Sequence, residues 1–434
     1  MFSKILVANR GEIAVRIIRA CKEMGISTVA VYSEADADSL HTAMADESYC
    51  IGRADAADSY LNQSRIISAA LVSGAQAIHP GYGFLSENPD FARLCAENDI
   101  VFIGPEPESM RMLGDKELIK SVMEDQGLRP IPGTRVLKSS REAAKAAEEI
   151  GYPVMLKARS GGGGRGIRLI KDRDGIKDGF AAASAEASSA FGDGGIYMEK
   201  YINPARHVEL QILADEFGKV VCLGDRDCSI QLRNKKIIEE SPSPTIKAEQ
   251  RANIIKKAVK AVKGIGYTGA GTLEFLVDED NEFYFMEMNV RLQVEHTVTE
   301  ALTGIDLVKW QIRIAAGIPL SFEQEDIDLD GTAIECRINA LAPGTVNFIH
   351  FPGGPFVRFD TYLVTGTEIT GYYDSLIGKL IIYAKNREES VRKIKAALCE
   401  LLIEGVPNNL EQLINIVDSE EFMKGRYNLN YIVK

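Results

Sequence analysis

The first hundred residues alternate short apolar runs with amphipathic segments, and this alternation limits the possible folds more than any other feature. The apolar runs "KILVAN", "STVAVYS", "AQAIHP" and "IVFIGP" have the length of buried strands. Between the first two, "GEIAVRIIRACKEMG" places Ile13, Ile17, Cys21 and Met24 on one helical face, and Gly25 is a typical helix stop. Strands that alternate with helices predict a parallel, doubly wound α/β sheet.

The turn after the first strand excludes dinucleotide binding, a common use of such a sheet. "ANRGEIA" contains one glycine, whereas the dinucleotide fingerprint needs three in order to bring the backbone close to a pyrophosphate.

The rest of the chain predicts two further regions, because 434 residues exceed a single core. We expect strands at "YPVMLKA", "GIRLI", "GGIYMEKYI", "RHVELQILAD" and "VVCLGDRDCSIQ", then a hairpin at "GTLEFLVDEDNEFYFMEMN" and a helical stretch near 301–317. A third region opens with the strand "GTAIECRINA" and closes on the helix "REESVRKIKAALCELLIEG", with Asn386 as its N-cap and Glu389 at the capping-box position. The predicted domains are 1–113, 114–318 with a lid at about 130–202, and 330–434.

Composition narrows the function classes. A net charge of −12 argues against a general binder of nucleic acid or of anionic membranes. Seven dispersed cysteines show no metal-site spacing, which predicts reduced core thiols in a cytoplasmic protein. No apolar run reaches membrane-spanning length.

A glycine-rich loop, "KARSGGGGRGIR", joins two of the predicted strands. It lacks the ending and the following helix of a P-loop, but its backbone amides could close over a phosphate. Lys157 and Arg165 favour an anionic ligand, while a flexible hairpin tip is an equally good interpretation.

An acidic pair in the predicted hairpin suggests a metal site. With the turn at Asp278 to Asn281, Glu274 faces Phe285, and Glu274 and Glu287 become diagonal neighbours about 7 Å apart. Such carboxylates repel unless a cation lies between them, and Mg²⁺ suits hard oxygen ligands. Asn289 falls on the same face. The alternative is a solvated edge.

Alternation continues past the hairpin through "VRLQVEH". If the strand continues, Arg291 could bind an oxyanion, Gln293 could donate and accept, and Glu295 could act as a general base with a raised pKa. On the pattern alone, an amphipathic strand remains the better interpretation of these three residues.

Three isolated features have no clear interpretation from the residues alone. His79, in "HPGYGFLSEN", is more typical of a structural histidine than of a ligand. Arg233, Lys235 and Lys236 could form a phosphate or bicarbonate site or a solvated turn. Arg337, in "ECRIN", is most simply a surface arginine.

Taken together, these motifs resemble the biotin carboxylase family, most closely the separate biotin carboxylase subunit of bacterial acetyl-CoA carboxylase. The resemblance covers nearly the whole chain, from "KILVANRGEIAVRIIRACKEMGI" through "HPGYGFLSEN", "MLGDK", "GGGGRG", "RHVELQ", "RDCSIQ" and "MEMNVRLQVEHTVTE" to "ECRINA" and "YYDSLIGKL". It implies a mixed α/β and α+β architecture: a Rossmann-like N-terminal domain, an ATP-grasp domain with a glycine-loop lid, and a C-terminal domain that completes the site.

The resemblance also implies roles for individual residues. The nucleotide-binding residues would be Lys116, Lys157, Gly163, Gly164, Glu199, Lys200, Tyr201, Ile202, His207, Gln231 and Asn234, with Glu274, Glu287 and Asn289 at the metal. Bicarbonate would be held by Lys236, Arg291, Gln293 and the Val294 amide, and deprotonated by Glu295. Tyr82 and Arg337 would meet biotin.

The implied reaction uses ATP, Mg²⁺ or Mn²⁺ and bicarbonate to carboxylate biotin through carboxyphosphate. The sequence lacks a biotin-attachment motif, so biotin would arrive on a carrier protein and pass to carboxyltransferase subunits. A homodimer is implied, with Arg19 and Glu23 at its interface. An exposed i,i+4 pair explains those two residues equally well.

Three features depart from the family pattern. Asn234 replaces the usual histidine, Arg159 is bulky beside the lid, and the segment after "ECRINA" is short. Alternatives are therefore the subunit of a pyruvate or other acyl-CoA carboxylase, another ATP-grasp ligase, or a non-catalytic ATP-binding assembly subunit.

Overall fold

A five-stranded parallel sheet forms the N-terminal part, as the alternation predicted. The computed structural model describes residues 1–159 and 166–431, apart from the side chains of residues 116, 117 and 191. The strand order is β3-β2-β1-β4-β5. The strands are β1 (Lys4–Val7), β2 (Ser27–Ser33), β3 (Glu47–Gly52), β4 (Ala77–His79) and β5 (Val101–Phe102). The sequence interpretation missed β3, whose residues alternate between exposed and half-buried positions.

Helices cover this sheet and lead out of it: α1 (Gly11–Glu23), α2 (Leu40–Met44), α3 (Gln63–Ser73), α4 (Pro89–Ala96), α5 (Pro107–Gly114) and α6 (Lys116–Asp125). Gly25, at φ 71°, follows the end of α1 as expected. However, α1 is buried on almost every side, including Glu12 and Arg16, rather than on one face. The reason is that α1 packs on its own sheet and also on strands of the C-terminal part.

A small antiparallel unit follows, in the range predicted for the lid. It consists of α7 (Ser140–Ile150), β6 (Val154–Ala158), β7 (Ile167–Ile170), α8 (Ile176–Phe191) and β8 (Ile196–Lys200), with strand order β7-β6-β8. Its apolar core is separate from the others, so the unit is joined to the rest mainly through its two ends.

An eight-stranded antiparallel sheet forms the centre of the molecule, in the order β13-β12-β9-β10-β11-β14-β19-β17. Its strands are β9 (Arg206–Ala214), β10 (Val220–Leu232), β11 (Lys235–Ser241), β12 (Gly269–Val277), β13 (Phe283–Asn289), β14 (Thr332–Asn339), β17 (Val357–Thr361) and β19 (Leu376–Ala384). The predicted second and third regions therefore share one continuous sheet, joined where β11 pairs with β14.

The remaining elements surround this sheet. They are the helices α9 (Ala248–Gly264), α10 (His296–Thr303), α11 (Leu307–Ala315), α12 (Arg387–Glu400), α13 (Leu410–Val417) and α14 (Glu420–Met423), and the short strands β15 (Gly344–Thr345), β16 (Phe348–His350), β18 (Glu368–Ile369) and β20 (Leu402–Glu404). Asn386 caps α12 by accepting from the Glu389 amide, as predicted.

Two composition-based expectations can be compared with the structure. Five of the cysteines are buried, but Cys50 and Cys399 are exposed, so the expectation of core thiols fails for these two. Within the described residues, no helix is both long enough and apolar enough to cross a membrane.

Candidate active site

A cavity of about 970 Å³ opens between the N-terminal part and the eight-stranded sheet. It brings together residues from segments that are far apart in sequence. Of the residues named by the sequence analysis, its lining contains Tyr82, Asn234, Lys236, Glu274, Glu287, Asn289, Arg291, Gln293, Val294, Glu295 and Arg337. The expectation that these form one surface is therefore confirmed by their placement.

The acidic pair lies closer together than predicted. Glu274 is directly opposite Glu287, and a bulge after Glu274 shifts the register so that Phe275 faces Phe285. The predicted register was wrong because the loop contains five residues and the ladder contains this bulge. The Asp278 carboxylate closes the loop by accepting from the amides of Asp280 and Glu282. Directly opposed side chains lie roughly 5 Å apart at Cβ, so the two carboxylates face each other across the hairpin.

This donor set fits Mg²⁺. The Asn289 amide lies beside the pair and donates to Glu274 Oε1 at 2.8 Å. Two opposed carboxylates and an amide on a rigid hairpin provide hard oxygen donors, and they leave positions for substrate phosphates. His207 and Glu209 also approach Glu274 within 4.8 Å, but the Lys236 ammonium already neutralises that group.

Lys236 is the electrostatic centre of the cavity. Its ammonium lies 2.7 Å from Glu209, 3.2 Å from Glu274 and 2.6 Å from Glu295. Burial opposes its charge, yet these three carboxylates raise the pKa of Lys236 well above its usual range. The ammonium is therefore permanently charged and faces the space that an anionic substrate would enter.

The hairpin between β10 and β11 separates Lys236 from its basic neighbours. Arg233 and Asn234 form the two-residue turn, both with positive φ, and Asn tolerates that conformation well. Lys235 points outward to Asp374, whereas the side chain of Lys236 is 14% exposed. Only one lysine of the predicted basic cluster thus reaches the site, although Asn234 also borders the cavity.

Glu295 does not have the raised pKa that we expected. Burial alone would raise it, but Lys236 at 2.6 Å, Arg337 at 2.9 Å and the more distant Arg226 hold the pKa of Glu295 well below its usual range. The expectation was wrong because it considered an anionic neighbour and not these cations. The carboxylate is ionised, which is the form that can accept a proton.

The segment that carries Arg291, Gln293 and Glu295 is not a strand. Strand β13 ends at Asn289, and the chain then runs irregularly into α10. It leaves the ladder because side chains from elsewhere hold it, including Glu87, which accepts from the Val290 amide and pairs with Arg291 at 3.1 Å. Arg291 also donates to Gln293 Oε1 at 3.0 Å. The alternation was thus a correct sign of the site but a wrong sign of strand.

Arg337 lies in the site and not on the surface. Its guanidinium donates to Glu239 and to Glu295, the latter at 2.9 Å. At the opposite side of the cavity, the Tyr82 hydroxyl donates to Glu12. These two residues therefore border the same space from different domains.

The residues expected around the nucleotide lie outside this cavity lining but next to it. Lys157 forms a 2.5 Å ion pair with Glu199, which also pairs with Lys120. Although burial opposes it, these lysines lower the pKa of Glu199. Lys200 donates to the Gly151 carbonyl, and the partly buried Tyr201 and Ile202 follow it.

His207 connects this region to the metal pair. Its Nε2 lies 3.0 Å from Glu274, and its Nδ1 lies 3.1 Å from the Gln231 amide. Three expected residues lie outside the described part of the chain: the side chain of Lys116, and Gly163 and Gly164. Arg165 of the glycine loop is outside it as well.

Sequence reasoning missed several charged partners. Glu209 belongs to "RHVELQ", where His207, Glu209 and Gln211 alternate with apolar residues, so the same period-2 signal could have found it. Glu87, Glu239 and Lys120 had no local signal, because each is defined by a partner far away in sequence.

Comparison with known families agrees with this geometry. Residues 1–110 match the biotin carboxylase N-terminal domain, 115–323 match the ATP-binding domain of the carbamoyl-phosphate synthase L chain, and 335–434 match the biotin carboxylase C-terminal domain. The chain is 49% identical to biotin carboxylase 1 of Bacillus subtilis over all of this chain and 98% of that protein. It is 50% identical to the biotin carboxylase of a Nostoc species, over 99% of this chain and 98% of that one.

Solved structures show the same relationship. The biotin carboxylase domain dimer of 2-oxoglutarate carboxylase from Hydrogenobacter thermophilus, in complex with MgADP, ADP and bicarbonate, has a TM-score of 0.96 at 50% identity, covering 99% of this chain and 97% of that one. The Campylobacter jejuni biotin carboxylase complex with a β,γ-ATP ligand has a TM-score of 0.97 at 46% identity, covering 99% and 98%.

The fold and these matches define an ATP-dependent ligase of the ATP-grasp type. The chain belongs to the biotin carboxylase family. Its activity is the ATP- and bicarbonate-dependent carboxylation of biotin with Mg²⁺, which in this family is the first half-reaction of acetyl-CoA carboxylase.

Proposed function

We propose that Lys236, Arg291, Gln293 and the Val294 amide hold bicarbonate, and that Glu295 removes its proton. The observation that carries this proposal is the position of the Glu295 carboxylate, between the Lys236 ammonium and the Arg337 guanidinium. A cation centre of this kind attracts the bicarbonate anion, and an ionised carboxylate beside it is competent as a general base.

Mg²⁺ would be held by Glu274, Glu287 and Asn289. When bound, the ion offsets the charge of nucleotide phosphates during phosphoryl transfer. The chain contributes the two opposed carboxylates, and His207 and Lys236 orient Glu274 from the other side at 3.0 and 3.2 Å. The cations hold the pKa of Glu274 below its usual range in spite of burial, so the carboxylate is a ligand over a wide pH range.

The nucleotide would lie beside this pair, toward the lid. Lys157 and Lys116 would meet phosphates, Gly163 and Gly164 would cover them, and the adenine side would be formed by Glu199, Lys200, Tyr201, Ile202, His207, Gln231 and Asn234. In support, His207 and Gln231 contact each other next to Glu274. Because Glu199 neutralises Lys157 in the present structure, nucleotide phosphates would compete with Glu199 for the Lys157 ammonium.

Biotin would enter between Tyr82 and Arg337. Arg337 is held on its other side by Glu239, so its guanidinium has a fixed orientation toward the cavity. A permanent cation there would stabilise the enolate form of the biotin ring, which is the form that attacks an activated carboxyl group.

Biotin is supplied by a separate biotin carboxyl carrier protein and passed to carboxyltransferase subunits, with acetyl-CoA as the final acceptor and the cytoplasm as the location. Relatives with the same domains serve 2-oxoglutarate carboxylase and pyruvate carboxylase, so a pyruvate or other acyl-CoA acceptor is the alternative. One of these relatives is a dimer in its crystal, and we propose a homodimer here too, with Arg19 and Glu23 at its interface. Glu23 pairs with Lys309 of the same chain at 2.6 Å.

A single assay tests the residue roles. Glu295→Ala is expected to abolish ADP release that depends on both bicarbonate and biotin, while Mg-ATP binding stays within about twofold of wild type. Loss of ATP binding would show that the base is misplaced. Wild-type protein without bicarbonate- and biotin-dependent ADP release would instead favour the non-catalytic assembly subunit.

A further inference from the structure

Lys379, on β19, is a lysine that is fully buried behind the active site. Its ammonium donates to the Val294 carbonyl at 2.8 Å and lies 3.3 Å from Glu12 Oε1. A buried ammonium loses its hydration at a cost of several kcal/mol, so its contacts are the first place to look for its role. Sequence reasoning gave no sign of it, because "GKLI" reads as an ordinary strand.

The Val294 carbonyl belongs to the turn that carries the proposed bicarbonate residues. Behind this turn, the Gln293 carbonyl accepts from the His296 ring at 2.8 Å, and the Val294 carbonyl accepts from Lys379. Because both carbonyls are taken from the rear, the Gln293 and Glu295 side chains and the Val294 residue face the cavity.

We propose that Lys379 is a positioning residue of the carboxylation reaction: its hydrogen bond to the Val294 carbonyl holds the 293–295 turn in the orientation that binds bicarbonate. The proposal rests on the placement of bicarbonate and of the base proposed above. Lys379 itself does not touch the cavity, so its effect passes through the peptide that joins Val294 to Glu295.

The same ammonium also reaches the biotin side of the cavity. Glu12, which pairs with Lys379, accepts from the Tyr82 hydroxyl, and the ammonium lies 5.8 Å from the centre of the Tyr82 ring. Lys379 therefore contacts the supports of both the Tyr82 side and the Glu295 side. In the sheet it lies opposite Arg337 on one neighbouring strand and Asp360 on the other, so strand pairing fixes its own position.

The experiment compares Lys379→Met with Lys393→Met. Lys393 lies in the same C-terminal region and also donates to backbone carbonyls, those of Pro355 and Tyr383, but it does not border the cavity. Both variants are assayed for the KM of bicarbonate, the KM of Mg-ATP, kcat and the thermal midpoint. Only Lys379→Met is expected to raise the bicarbonate KM and lower kcat, each by roughly tenfold or more, with the Mg-ATP KM within about twofold.

A purely structural lysine would lower the thermal midpoint and leave the bicarbonate KM unchanged. That result, or equal kinetic changes in both variants, overturns the proposal. If Lys379→Met does not fold, Lys379→Gln takes its place, since its shorter amide is neutral and cannot span the same distance; the same split between the two KM values is expected, and its absence overturns the proposal. An active Glu295→Ala protein would show instead that the proposed base is misplaced, and the role of Lys379 would fall with it.

Discussion

Two charge clusters of the same composition serve different purposes in this molecule. The cavity cluster consists of Lys236, Arg337, Glu209, Glu274 and Glu295. The interdomain cluster consists of Arg16, Arg358, Glu300, Asp306 and Asp360. Each has two cations and three carboxylates, so their formal charges are equal and the difference between them lies in geometry and access.

The interdomain cluster is built on arginine forks. Arg16 bridges Glu300 and Asp306 at 2.9 and 2.7 Å, and Arg358 joins Glu300 to Asp360 at 2.7 and 2.5 Å. Paired guanidinium bonds are directional, so this cluster fixes α1 against α10 and β17. The cavity cluster has a lysine at its centre, whose point charge is shared among three carboxylates and can accept a new anion without a fixed geometry.

The first prediction concerns stability, where the interdomain cluster should be the more sensitive. Glu300→Gln leaves two buried guanidinium groups without their shared carboxylate, so we expect the free energy of unfolding to fall by at least about 3 kcal/mol. Denaturation in urea measures it. The control is Glu388→Gln, which removes an exposed i,i+4 partner of Arg392 and should change little. Equal losses in the two variants would contradict the structural role.

The second prediction reverses the comparison and concerns activity. Lys236→Met should lower turnover by about 100- to 1000-fold, because the cation that faces the substrate anion is lost. Its loss of unfolding free energy should be smaller than that of Glu300→Gln, since the freed carboxylates open onto a cavity that water can enter. Unfolding that is more strongly weakened than in Glu300→Gln would show that the two clusters do not differ in this way.

The third prediction uses Glu12, which lies between the two clusters. Burial raises the pKa of Glu12 from 4.5 to about 7, although Lys379 and Arg358 oppose the shift, and Asp360 adds to it. The folded state therefore binds more protons than the unfolded state between these two pH values. Its extra stability is present below about pH 4.5 and is lost as the pH rises through about 7.

Glu12→Gln has no such group, so the free energy of unfolding of the wild type, relative to the variant, should fall by about 2–3 kcal/mol across this window. Denaturation at a series of pH values measures the difference. A constant difference between the two proteins would mean that Glu12 titrates alike in the folded and unfolded states.

The sequence predicted the parallel sheet and the metal hairpin because both depend on local patterns. Strands such as β1 and β2 are short apolar runs between turns, and Glu274 and Glu287 are neighbours across a single loop. The bulge that sets their register escaped prediction, since it depends on the loop conformation around Asp278.

The rest of the site depends on pairing between distant segments. The low pKa of Glu295 requires Lys236 and Arg337, which lie on β11 and β14 and meet only because those strands are neighbours. The same reason hides Lys379 from local patterns. Only the resemblance to a known family, which carries information on tertiary structure, indicated Lys236, Arg337 and Glu295 as one group.

The pairing of β11 with β14 has a consequence for any attempt to shorten this protein. A chain that stopped before Thr332 would turn β11 into an exposed edge, with unpaired amides and carbonyls from Ile238 to Ser241 and with Glu239 deprived of Arg337. Such an edge is a template for aggregation, so the nucleotide-binding half is not expected to behave as an independent soluble fragment. The boundary in the sequence is a connection between domains, but it is no place to cut.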